Sequence, residues 1–96
     1  MNKQVFQVQE EQLTELAQFL NQFKTDIQER MLNYQMQVDD MNANGLPQET
    51  YEKFQAEHID EVNAFVQRIV SLIDNSSIPF IQGNIQRMQD MISYNQ

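Results

Sequence analysis

Cysteine is absent from the 96 residues, so neither a disulfide framework nor thiol chemistry is open to the chain. Tryptophan is absent too, histidine occurs once, and glycine and proline occur twice each. One histidine without cysteine gives no nucleophile paired with a base, and two isolated glycines do not build a phosphate-cradling loop. No catalytic constellation and no cofactor is expected. Cations are scarce, six against fourteen acidic side chains, for a net charge of -8. That balance repels the phosphate backbone of nucleic acids and anionic membrane surfaces. No window approaches the roughly 20 apolar residues of a membrane span, so membrane insertion is not expected. The opening MNKQVFQVQEEQ has no apolar signal core, so export would need a route without a cleaved signal. The length suits one small domain whose core is small or shared.

What is present is helical periodicity. VFQV near the start is short and β-branched, which predicts an extended arm capping the end of a bundle. From Leu13 the apolar residues fall at Leu16, Leu20, Phe23, Ile27, Met31, Tyr34, Val38 and Met41. Spacings of three and four predict one long helix over about 9–43, dry along a stripe and wet elsewhere. Glu10, Glu11 and Glu15 would then suit the positive end of its dipole.

Residues 44–47 read as the turn. Asn44 is the last half-helical residue, Gly45 takes the left-handed position, Leu46 folds back on Met41 as in a Schellman motif, and Pro47 prevents continuation. Pro47 also fits the first turn of a second helix over about 48–74, with Glu49 and Glu52 at its favoured end. So short a break between long amphipathic helices predicts an antiparallel hairpin. Asp39 and Asp40 sit at the unfavourable end of the first helix, either solvated or near Lys53.

The second helix carries Tyr51, Phe54, Ile59, Val62, Phe65, Val66, Ile69, Val70, Leu72 and Ile73, a face too wide for one neighbour. DNSSIPF interrupts it, with Ser76 or Ser77 as an N-cap and Pro79 in a first turn, before a third helix over about 78–93. Pro79 makes either a corner or a kink. The expected fold is all-α: a hairpin with a kinked or separate third helix, completing a four-helix bundle by dimerisation. A corner at Pro79 would instead close a monomeric three-helix bundle. His58 lacks the Glu-x-x-His spacing of helical diiron sites, because position 55 is Gln. It is read as a bundle-edge ring, with no metal expected. Met31, Met36, Met41, Met88 and Met91 are read as flexible core filler.

With FQVQEEQLTELAQFL, the Gly45 turn and a second long helix on the page, the chain resembles the WXG-type small hairpin proteins of type VII secretion. ETYEKFQAEHIDEVNAFVQRI is similar to part of the LXG domain of exported toxins, with Tyr51, Phe54, His58 and Phe65 in its aromatic and histidine positions. The resemblance covers about three quarters of the chain. Two family features are missing: Asn44, Gly45 and Leu46 stand where Trp-x-Gly would be, and the tail IQRMQDMISYNQ has no Tyr-x-x-x-acidic export signal. The resemblance therefore implies a partner-dependent, chaperone-like subunit, forming a homodimer or a heterodimer with another helical protein such as an LXG-type toxin. It would reside in the cytoplasm of the producing bacterium or be exported without a cleaved signal. Leu16, Leu20, Phe23, Ile27, Phe54, His58, Val62, Phe65 and Ile69 are the expected partner interface. The alternative is an acidic immunity-type protein that inhibits a basic toxin domain through Asp39, Asp40, Glu57, Asp60 and Glu61, with salt-dependent binding.

Overall fold

A computed structural model of the chain describes residues 3–94. The described residues are helical apart from one connection, and none is in a strand. Helix α1 runs Lys3–Ala43, α2 Gln48–Phe54, α3 Asp60–Leu72 and α4 Ile78–Tyr94. Between α2 and α3 lies a π-helical turn, Gln55–Ile59, and between α3 and α4 a second, Ile73–Ser77. No helix among the described residues is long and apolar enough to cross a membrane.

Three sequence expectations are corrected. VFQV is not an extended arm, because α1 already begins at Lys3, and Phe6 is buried. The reason is periodic: Phe6 lies seven residues before Leu13, so it continues the stripe that a β-propensity argument treats in isolation. The same shift places Glu10, Glu11 and Glu15 beyond the first turn, which holds no acidic residue, where the helix dipole does little for them. Third, Ser76 and Ser77 cap nothing and Pro79 makes no corner. Leu72 and Ile78 both keep right-handed helical dihedrals, and the Ile78 N–H bonds back five residues to the Ile73 carbonyl. A proline inside a regular helix clashes with the carbonyl four residues back; the wider turn just before Pro79 relieves that crowding, so the helix passes through.

The chain divides into two compact units, residues 24–70 and residues 1–23 with 71–96. Within the first of these, α1 ends in the arrangement the turn sequence predicts. The Leu46 N–H bonds to the Met41 carbonyl at 2.9 Å and the Gly45 N–H to the Asn42 carbonyl at 3.4 Å, the paired bonds of a Schellman motif. Gly45 has φ of 121°, a region that L side chains rarely enter. Asn44 adds an amide bond to the Asp40 carbonyl at 2.7 Å, and the Asn42 amide one to the Leu46 carbonyl at 3.0 Å. Pro47 stands at the N-cap of α2 rather than inside its first turn, and its carbonyl accepts the first bond, from Tyr51 N–H at 2.9 Å.

This unit's core is Met31, Val38, Ile59 and Val66, with Ile27, Tyr34, Tyr51, Phe54 and Val70 packed against it. Beside the core, Gln35 and Gln55 exchange amide hydrogen bonds of 2.7 and 2.9 Å. Two part-buried side chains thereby satisfy each other, which fixes their register where purely apolar packing could slide. In the other unit the buried apolar residues are Phe6, Ile73 and Ile81, and the Gln89 amide donates to Glu10 at 3.0 Å.

Candidate protein-interaction surface

Two grooves flank the core of the 24–70 unit, and Met31 and Val66 line both. One, of about 300 Å³, is lined by Ile27, Arg30, Met31 and Tyr34 from α1 and by Val62, Phe65, Val66 and Ile69 from α3. The other, of about 270 Å³, has Gln28, Gln35, Asn63 and Gln67 among its seven lining residues. The helices thus present one side that water solvates well and another where it meets hydrocarbon. Phe65 is 59% exposed, with the Arg68 guanidinium 4.4 Å from its ring centroid. That cation–π contact is worth about 0.5–1 kcal/mol at an exposed site and leaves much of the ring in water.

Of the expected interface residues, Ile27, Val62, Phe65 and Ile69 meet in the apolar groove. Phe54 belongs to the edge of the core, with its ring edge-on to Tyr34 at 6.3 Å and tilted over His58 at 4.8 Å. His58 is exposed, its ring resting on Phe54. Leu16 and Leu20 lie in the other unit, in a groove of about 370 Å³ with Ser76, Ser77, Phe80 and Ile81. Phe23 stacks on Phe19 with centroids 6.4 Å apart. The nine residues thus divide between the two units, with Leu16, Leu20 and Phe23 in one and Ile27, Phe54, His58, Val62, Phe65 and Ile69 in the other.

Sequence reasoning missed Phe19 and Phe80, which are 64% and 70% exposed. Phe19 sits between Leu16 and Leu20 and was hidden by the three-and-four spacing of the stripe. The signal was its own spacing of four from Phe23. The methionines divide: Met31 is core, whereas Met36, Met41 and Met91 are exposed, so filler describes only part of the set.

The polar end of the unit centres on Asp39. Its carboxylate accepts hydrogen bonds from the Tyr51 hydroxyl at 2.5 Å and the Gln35 amide at 3.0 Å. Tyr51, not Lys53, is thus its neighbour on α2. Donation to Asp39 is the main reason the Tyr51 phenol titrates above its ordinary value, with desolvation and the negative charge of Asp39 acting the same way. Asp60 is likewise engaged, by the Gln55 amide at 3.1 Å. Among the described residues no group of three or more histidine or carboxylate side chains is placed to hold a metal ion. Compared with known proteins, the chain matches no family model, no curated protein and no solved structure.

Proposed function

We propose that the chain is an interaction module of the type VII secretion-associated WXG/LXG-like kind: an antiparallel helical hairpin that completes a four-helix bundle with another helical protein. The partner is the helical domain of an LXG-type toxin, met in the producing cytoplasm and shielded there before export, or a second small hairpin. One observation carries the reading. The groove bounded by Ile27, Tyr34, Val62, Phe65 and Ile69 is open and almost wholly apolar, whereas the equally open groove across the same core adds the amides of Gln28, Gln35, Asn63 and Gln67. A helix laid into the first groove would remove Phe65 and Val62 from water, at about 25 cal/mol for each Å² buried.

The test is co-purification with a candidate helical partner, or self-association, for Leu20→Glu, Phe23→Glu and Phe65→Glu. All three sites are at least partly exposed, so helicity by circular dichroism should survive. Loss of binding in the Phe65 variant is expected. Undiminished binding by all three variants would remove the proposal, and binding that fails only at high salt would favour the acidic inhibitor.

A further inference from the structure

Glu11, Glu15, Phe19 and Phe23 follow one another at intervals of four on α1, so neighbours touch along one ridge that winds obliquely around the helix. The two rings stack at an interplanar angle of 20°, and Phe19 remains mostly in water. The carboxylates that continue the ridge have no structural reason to be there. The helix begins at Lys3, so they are outside the reach of its dipole. As a like-charged pair four apart they cost the helix about 0.2–0.5 kcal/mol. Among the described residues neither has a hydrogen-bond or ion-pair partner, although Glu10 beside them takes the Gln89 amide.

We propose that this ridge docks a cationic amphipathic helix of a partner protein. Its apolar side chains pack on Phe19 and Phe23, and its lysines or arginines, one turn further along, meet Glu11 and Glu15. Charge complementarity selects the occupant. An acidic or neutral helix would leave two carboxylates unpaired beside an apolar contact, and an anionic membrane would be repelled. The inference rests on the interaction-module reading and adds a second face with a partner of defined charge.

The probe is a fluorescent leucine–lysine amphipathic peptide of about 18 residues, five helical turns, titrated against the full chain at low and high salt. Its leucine–glutamate counterpart is the control peptide. The Glu11→Gln/Glu15→Gln variant should bind the lysine peptide about three- to tenfold more weakly and with less salt dependence, as expected for two exposed ion pairs. Phe19→Ser should weaken binding without changing that salt dependence. Glu49→Gln/Glu57→Gln, which removes the same charge elsewhere, should bind as the wild type does. Equal weakening in both double variants would reduce the effect to bulk charge and overturn the proposal. No binding by the lysine peptide, or equal binding of the glutamate peptide, would overturn it too. Loss of partner binding in Phe65→Glu is read separately, so the interaction module can stand while this ridge falls.

Discussion

Ile59 is the most enclosed side chain of the 24–70 unit, 1% exposed, at the close of the first π-helical turn. Truncation there leaves a void that a small core cannot refill, so Ile59→Ala should lower unfolding free energy by about 2–5 kcal/mol in a denaturant titration. Gly45 is the one residue with positive φ among those described. Although a Cβ there would meet nothing within 4 Å, the backbone itself forbids it. Gly45→Ala should cost about 1–3 kcal/mol through strain alone. Tyr51 gives a pH signature. Its raised titration means that the folded state favours the neutral phenol, a contribution fully present below pH 10.0 and lost as pH rises through the folded-state value. Wild type should therefore lose stability on going above pH 10 more steeply than Tyr51→Phe, as thermal melts across that range would show.

At the scale of elements, the two π-helical turns reproduce one apolar spacing. Tyr51, Phe54, Ile59 and Val62 step by three, five and three, and so do Val70, Ile73, Ile78 and Ile81. A step of five on a regular α-helix falls about 140° off the face, and a wider turn that takes one extra residue brings it back. Each π turn thus absorbs one residue that the periodicity cannot place. Deleting Ala56 from the first turn should return it to a regular helix with the apolar face intact and Tm little changed. Deleting Ala64, in the regular part of α3, should rotate one side of the helix off the core and destabilise on the order of a core truncation, about 2–5 kcal/mol. Circular dichroism melts of the two deletions decide this. The spacing of five was visible in the sequence, yet it reads as a break to any rule that admits only threes and fours. That is why the third helix looked separate and Ser76 looked like a cap.

For the whole molecule, fourteen acidic groups against six basic ones set up a self-repulsion that apolar association must overcome. The interaction-module reading therefore predicts that light scattering across a dilution series reports a mass above 11.4 kDa, rising with salt as the repulsion is screened. A folded monomer at every concentration and salt would leave heteromeric binding as the only form of the reading still standing, and a poorly folded monomer would mark the partner as obligate.

The sequence alone determined the helical class, the place and mechanism of the chain break at residues 44–47, and the identity of most core residues. Each depends on contacts within a few positions: a glycine free to take positive φ, a carbonyl five residues back, an apolar step of three or four. Tertiary structure decided which apolar residues are enclosed and which stay in water. Met31 and Phe23 are equivalent in the stripe, but Met31 is buried and Phe23 is 41% exposed. It also decided that Tyr51 and Gln35, not Lys53, answer Asp39. Those outcomes turn on which residues of distant segments come level with one another, a distance in space that spacing along the chain does not encode.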